Sequence, residues 1–344
     1  MKHKIFALFI ILAFVPSAFV SAFAQTKTNK NQLAALLPAS DGVVSVDTKR
    51  LFGSALPQIL SGNKEMLDEV NAKIDEFKTN TSIDIRQFDQ IALGIATRKI
   101  SETDTDFEPI VLARGNFNAG SLVTLAKFAS KDAYREEKIG SRTVYIFSAK
   151  EMIEKNKTAV KSSFIQKILD KILPGLSGET AVTVYDSNTL AFGKYERLKL
   201  MLTDSKSRVD AGLLATVNRH PNAVASFAMN LPNGMSSFLE LTDDELGQNL
   251  DSIRQIHGMF DVAGENTSVS VSGKTLKPEQ AASLKESFDG LQGLFSGILL
   301  GSKSENQKLY GRMLKSAKIS RVANEITIDL QVPQSDINIL IGAK

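Results

Sequence analysis

The chain has 344 residues, of which 43% are hydrophobic and 23% are charged, the balance of an ordinary globular protein. It contains 41 Lys and Arg against 38 Asp and Glu, three His, and neither Cys nor Trp. These numbers exclude a disordered chain, a collagen-like fibre, a disulfide scaffold and a zinc-thiolate site. The length predicts one large domain or two medium domains.

The first 24 residues have the three parts of a secretory signal peptide. Two lysines give a positive start, residues 5–15 are an apolar run too short to span a bilayer, and Ala22-Phe23-Ala24 is a small-residue cleavage site. We therefore expect cleavage between Ala24 and Gln25 and export to the periplasm or the cell exterior. An uncleaved membrane anchor is the alternative, because the stretch before Gln25 carries no further charge.

Cleavage changes the charge balance of the chain. The signal peptide removes two Lys and no acidic residue, which leaves 39 basic against 38 acidic residues. A near-neutral chain lacks the clustered positive charge that nucleic acids require, so we expect no nucleic-acid partner. We also expect no transmembrane span in the mature chain.

A polar leader is predicted over residues 25–37, and a first α+β module over residues 38–149. Alternating or continuous apolar runs predict strands, and apolar residues at three- and four-residue spacing predict helices. The order is strand, helix, strand, strand, helix, strand. The predicted strands are 43–46, 88–100, 107–117 and 138–147, and the predicted helices are 67–77 and 121–129.

A helix and hairpin insert is predicted over residues 150–220. The apolar spacing favours a helix at 164–172, which Pro174-Gly175 ends. Two short strands, 181–185 and 189–192, then flank Asp186-Ser187-Asn188, a sequence typical of turns.

The same order of elements returns in a second module over residues 221–344. The predicted strands are 223–229, 257–262, 268–273 and 325–332, and the predicted helices begin near Asp243 and Pro278. Thr242 and Glu245 fit a capping box for the first of these helices.

Local matches indicate that the two modules are duplicates. Gly115 parallels Gly273, and Lys138-Ile139 parallels Lys318-Ile319. We therefore predict an α+β fold of two ferredoxin-like modules, whose antiparallel sheets carry helices on one face.

Four segments carry a family resemblance. They are Leu37-Pro38, Val43-Val44-Ser45-Val46-Asp47, Arg114-Gly115-Asn116-Phe117 after the first hairpin, and the strand at 325–333. With them the chain resembles a loose group of exported bacterial proteins of unknown function that contain α+β modules. The resemblance covers most of the mature chain and implies no catalytic residue, cofactor or substrate.

Two histidines remain after cleavage, His220 and His257. A metal site or an acid–base pair would need them close together, with help from a carboxylate. Their spacing fits no metal-binding motif. We therefore predict one His in a connection, before Pro221, and one His at a helix end.

Two other sequence patterns give little support for a metal site or a catalytic site. The alternating acids between Glu102 and Glu108 could converge on calcium, but they lack the Gly and the distal Glu of an EF-hand, so a solvated loop is predicted. Ser61 and Lys64 have the spacing of a Ser–Lys pair without its companion motifs. We expect no catalytic residue, no metal and no cofactor.

Gly293, Gly297 and Gly301 recur every four residues in the last long predicted helix. A glycine inside a helix costs about 1 kcal/mol relative to Ala, so a compensating contact is expected. The glycines favour either close backbone packing within the chain or an interaction face for a partner or a membrane surface.

These observations predict an exported cell-envelope protein that acts as a non-enzymatic binding or structural module. The alternatives are an enzyme without a recognisable motif and a carrier that holds an apolar ligand between the modules. An enzyme predicts clustered ionisable groups with shifted pKa values in a cleft, whereas a carrier predicts a large apolar cavity. A binding protein predicts an exposed apolar patch.

Overall fold

The computed structural model describes residues 32–81, 83–99, 105–129, 134–148, 178–232, 234–237 and 244–342. The predicted signal peptide, the start of the polar leader and the helix predicted at 164–172 lie outside these residues. The architecture is mixed α+β with antiparallel β-structure, as the sequence predicts.

The strands follow alternating and β-branched runs of the sequence. They are β1 (Gly42–Asp47), β2 (Phe88–Lys99), β3 (Thr105–Gly115), β4 (Tyr134–Ile139), β5 (Arg142–Ser148), β6 (Glu179–Asp186), β7 (Thr189–Lys194), β8 (Ala225–Asn230), β9 (Ile253–Ala263), β10 (Asn266–Thr275), β11 (Lys318–Val322) and β12 (Glu325–Pro333).

Short helical turns at Thr48–Arg50, Leu51–Ala55 and Leu56–Ile59 follow β1. The longer helices are α1 (Lys64–Thr81), α2 (Ala119–Ala129), α3 (Tyr195–Thr203), α4 (Ala211–Val217), α5 (Glu245–Asp251), α6 (Pro278–Leu300), α7 (Glu305–Ser316) and α8 (Gln334–Leu340). None of the described helices is both long enough and apolar enough to cross a bilayer.

The chain forms two compact units. Within the described residues, the first unit comprises 32–49 and 70–214, and the second comprises 50–69 and 215–342. The strand order is β1-β2-β3-β7-β6-β5-β4 in the first unit and β8-β9-β10-β12-β11 in the second. Neighbouring strands pair antiparallel in both units.

These strand orders correct the prediction of two ferredoxin-like modules. In a ferredoxin-like module, another strand separates the two strands that the first helix joins. Here β1 pairs directly with β2 across α1, and β8 pairs directly with β9 across α5. The orders β1-α1-β2-β3-α2 and β8-α5-β9-β10-α6 are as predicted, whereas α7, β11 and α8 were not predicted. The pairing depends on long-range contacts that periodicity does not encode.

Two boundaries in the first unit also differ from the prediction. The strand predicted at 138–147 is a hairpin of β4 and β5, because Gly140 has a φ of +60° and turns the chain. The hairpin predicted in the insert forms as β6 and β7, but it belongs to the sheet of the first unit, since β7 pairs with β3 and β6 pairs with β5.

The ends of two predicted segments need similar correction. Leu33 and Leu37, within the predicted polar leader, are fully buried. Helix α5 begins at Glu245 with Asp244 as its N-cap, and the Asp244 carboxylate accepts a hydrogen bond from the Gly247 amide.

The core of the second unit fixes the position of α6. Leu284 of α6 packs in a buried cluster with Leu231, Ile253 and Ile326. Further along the helix, the Gln292 side-chain amide donates hydrogen bonds to carbonyls at the end of α7 and just after it. One side of α6 therefore faces the core and α7.

Candidate functional site

The predicted glycine face lies on the outer side of α6. A Cβ at Gly293 or Gly297 would meet no other atom within 4 Å, and one at Gly301 would meet only carbonyl oxygens of its own helix. Close packing of Gly293 and Gly297 is therefore not found in the part of the chain that the structure describes. The other interpretation, an interaction face, stays a prediction.

Large apolar side chains lie beside these glycines. Leu294, Phe295 and Ile298 are 58%, 49% and 61% exposed. Residues three and four apart share one face of a helix. We call the set Gly293, Leu294, Gly297, Ile298 and Gly301 the outer face of α6.

The outer face carries no charge. Residues 290–302 contain no ionisable side chain, and the ion pair of Lys285 with Asp289, at 2.5 Å, lies before this stretch. The opposite side of the helix buries Leu284 and Ser296. Residues 290–300 of α6 therefore carry no charge on any side of the helix.

The glycine that does allow close helix packing is Gly311 of α7. A Cβ at Gly311 would lie 3.0 Å from Leu299 Cβ, from Leu300 Cγ and from the Leu300 amide nitrogen. Gly311 could not be identified from the sequence, because it belongs to no repeated spacing.

A charged cluster lies on the sheet of the second unit. Arg219 Nη1 donates a hydrogen bond to Glu325 Oε1 at 2.9 Å and lies 3.0 Å from His257 Nε2. His257 Nε2 is 3.3 Å from the same Glu325 oxygen. Strand β9 carries His257, β12 begins with Glu325, and Arg219 lies in the connection between α4 and β8. His257 therefore lies within β9, which begins four residues before the predicted strand 257–262, and the prediction of a helix end for this residue is wrong.

The three side chains of the cluster differ in how much of their surface is exposed. The side chain of His257 is 5% exposed, that of Glu325 is 24% exposed and that of Arg219 is 44% exposed. The hydrogen bond to His257, together with the charges of His257 and Arg219, lowers the pKa of Glu325 from 4.5 to about 2, although burial acts in the opposite direction. Glu325 is therefore ionised at neutral pH.

The structure also brings His220 to this cluster. Burial lowers the pKa of the His220 ring, and the charges of His257 and Arg219 act in the same direction, whereas Asp329 opposes them. Asp329 itself accepts a hydrogen bond from Ser270 at 2.7 Å. No group of three or more His, Asp or Glu among the described residues could hold a metal ion.

The weaker sequence candidates lie elsewhere. Residues 101–104 of the acidic segment are outside the described residues, and Glu108 on β3 pairs with Arg98 on β2 at 3.0 Å. Ser61 lies in the turn before α1, where its amide donates to the Gln58 carbonyl, and Lys64 is the first residue of α1.

Comparison with solved structures finds distant neighbours. No protein-family model and no curated protein matches the chain. Crystal form III of TP0453 gives a TM-score of 0.44 with 10% identity, over 91% of this chain and 98% of that one. Crystal form I of TP0453 gives 0.43 with 9% identity, over 92% and 98%. The resemblance to exported bacterial proteins stays a prediction.

Proposed function

We propose that the chain is an exported, non-enzymatic binding protein of the cell envelope that contacts its partner through the outer face of α6. The signal-like start of the sequence supports export. The exposed, uncharged outer face supports binding, since contiguous apolar surface on a soluble domain marks interaction sites.

The single observation that carries this proposal is the exposure of Leu294 and Ile298 beside Gly293 and Gly297, where an added Cβ would meet no neighbouring element. Gly293 and Gly297, which lie inside α6, each weaken the helix by about 1 kcal/mol relative to Ala, whereas Gly301 is its C-cap. Within the described residues, no packing at Gly293 or Gly297 offsets this cost. A contact made by a partner would offset it.

The chemistry of the outer face favours a protein partner over a lipid surface. Glycines four residues apart allow the backbones of two helices to approach closely. Helices that lie on membranes instead combine bulky apolar residues with Lys and Arg on the polar face. The proposed partner therefore presents an apolar helix, from another protein or from a second copy of this chain.

Site-specific photocrosslinking in cells that produce the protein tests this proposal. A photoreactive residue in place of Leu294 should give a discrete protein adduct. The matched control is the same residue in place of Val322, which is 77% exposed on β11 and is not part of the outer face of α6. Adding Gly297→Leu should abolish the adduct without disturbing the fold, because a side chain at Gly297 enters open space.

The outcomes separate the partners. An adduct of twice the chain mass would identify a second copy. Identical adducts from both positions, adducts that survive Gly297→Leu, or adducts to lipid alone would each overturn the proposal.

We also propose that the exported form begins at Gln25. The Ala22-Phe23-Ala24 sequence before this residue supports the cleavage site. N-terminal sequencing of the protein recovered from outside the cytoplasm should read from Gln25. Recovery of membrane-bound chain that retains Met1 would contradict the proposal.

A duplication at the origin of the two units is a further part of the proposal. The order β1-β2-β3-β7-β6 in the first unit parallels β8-β9-β10-β12-β11 in the second, which supports it. The short sequence matches give less support, because Lys138-Ile139 ends β4 whereas Lys318-Ile319 begins β11. A crystal structure in which the two sets of five strands fail to superpose would contradict it.

A further inference from the structure

One nitrogen of His257 faces two groups that require opposite protonation states. Arg219 Nη1, 3.0 Å away, can only donate a hydrogen bond, so it requires Nε2 to be an unprotonated acceptor. The ionised Glu325 carboxylate, 3.3 Å away, can only accept, so it requires a proton on Nε2. A single state of the ring cannot satisfy both neighbours.

We propose that Arg219, His257 and Glu325 form an acid-sensitive latch on the connection between α4 and β8. At higher pH the neutral ring of this latch carries its proton on Nδ1, so that Nε2 accepts from Arg219, which also pairs with Glu325. When the ring gains a proton from solvent, Nε2 donates to Glu325, and the two cations, 3.0 Å apart, repel each other. Arg219 stays charged and turns into solvent.

The position of Arg219 decides what the latch holds. Its amide donates to the Thr216 carbonyl, and the Ala223 amide donates to the His220 carbonyl, so the connection is a pair of turns. Arg50 also ties this connection, because its guanidinium donates to the Asn222 carbonyl. Release of Arg219 therefore loosens the connection without detaching it.

The other charged groups around His257 do not prevent its Nε2 atom from changing its hydrogen-bond partner from Arg219 to Glu325. His220 resists protonation because it is half-buried, so it adds no early positive charge. On β8, Ala228 pairs in register with His257 and brings no charge. The titratable and charged groups of the neighbouring elements are Arg219 and His220 of the connection, Glu325 and Asp329 of β12, and Lys274 of β10, which pairs in register with Glu325.

Amide hydrogen exchange on the full chain tests the latch, with rates expressed as protection factors to remove the intrinsic effect of pH. Protection of residues 218–224 should fall by about tenfold or more between about pH 8 and about pH 5. This is the change expected from the loss of one charge-assisted hydrogen bond. Protection within β2 and β3 of the first unit should stay constant.

Three variants assign the effect to named groups. His257→Gln should remove the pH-dependent fall in protection, because its amide does not titrate. Arg219→Gln should give the low, acid-like protection at both pH values. His220→Gln removes the other imidazole of the connection and should still show the fall, because Arg219, His257 and Glu325 all remain.

Several results would overturn the latch. They are constant protection of the connection in the unmodified chain, a fall that persists in His257→Gln, and a fall that disappears in His220→Gln. Should His257→Gln fail to fold, Arg219→Gln decides alone, since it replaces a half-exposed side chain. Protection at the unmodified level in Arg219→Gln would refute the proposal. None of these results depends on a partner of α6.

Discussion

Glu325 links the stability of the second unit to pH through a single carboxylate. Its pKa is about 2 in the folded chain, below the ordinary 4.5, so the unfolded chain binds this proton more readily. The stabilisation is complete above about pH 4.5 and is lost as the pH falls toward 2. Glu325→Gln should therefore lower the free energy of unfolding at neutral pH by about 1–3 kcal/mol.

Urea unfolding at several pH values checks this prediction. The difference between the unmodified chain and Glu325→Gln should shrink as the pH approaches 2, since the native carboxylate is then protonated as well. An equal difference at neutral and acidic pH would contradict the assignment of the effect to this charge.

His220 also makes the chain less stable as the pH falls, but over a higher pH range than Glu325. Its pKa in the folded chain is lower than the ordinary 6.5, so the unfolded chain gains the proton first. The contribution of His220 to stability is complete above pH 6.5 and decreases as the pH falls below it. His220→Gln should therefore lose less stability than the unmodified chain between about pH 7 and about pH 5. Equal losses in the two chains would contradict this prediction.

The sequence could not predict the cluster around these residues. Arg219 is 38 residues from His257 and 106 residues from Glu325, and no local spacing relates the three. The sequence identified both histidines as candidates. It placed His257 at a helix end because the apolar residues before it, Leu250 and Ile253, suggest a helical stripe, whereas β9 begins at Ile253.

At the scale of elements, the glycines of α6 and α7 have opposite surroundings. A side chain at Gly311 would press against Leu299 and Leu300, so Gly311→Leu should destabilise the chain by about 1–3 kcal/mol. A side chain at Gly297 meets open space, so Gly297→Ala should stabilise it by somewhat less than 1 kcal/mol. Denaturant unfolding of both variants measures the two signs. A loss of stability in Gly297→Ala would indicate a packing contact at the outer face.

The local sequence pattern predicted many of the elements. It failed where a turn sets the end of a strand and where distant residues determine which strands pair. The alternating run of β12, the β9–β10 hairpin and the long helix α6 appear where periodicity places them. Gly140 divides one predicted strand into β4 and β5, because its left-handed backbone reverses the chain. Pairing partners depend on residues far apart in sequence, so the pairing of β3 with β7 and of β10 with β12 was not predictable.

At the scale of the whole molecule, the units do not follow the predicted module boundaries. Residues 50–69 belong to the second unit, although the first predicted module contains them. Within that unit, Asn63 Nδ2 donates to the Ile341 carbonyl and the Gln334 side-chain amide donates to the Ile59 carbonyl. Such contacts join segments more than 270 residues apart. Modules predicted as continuous stretches of the sequence assign these segments to different modules.

The segment after the predicted cleavage site gives a final prediction at this scale. Leu33 and Leu37 are fully buried in the first unit, Arg208 Nη1 donates to the Leu36 carbonyl at 2.8 Å, and Arg197 Nη2 donates to the Ala39 carbonyl at 2.5 Å. A chain that begins at Gln25 keeps all of these contacts. We therefore expect it to unfold at the same urea concentration as a chain shortened further to Gln32.

A chain that begins at Pro38 should behave differently. It lacks both buried leucines, and loss of even one such side chain typically costs about 2–5 kcal/mol. Arg208 would also lose the Leu36 carbonyl, to which it donates a hydrogen bond. Urea unfolding of the three shortened chains should therefore separate the Pro38 form from the other two. Equal midpoints for all three would mean that this segment does not stabilise the first unit, and its burial would then place no limit on where the mature chain begins.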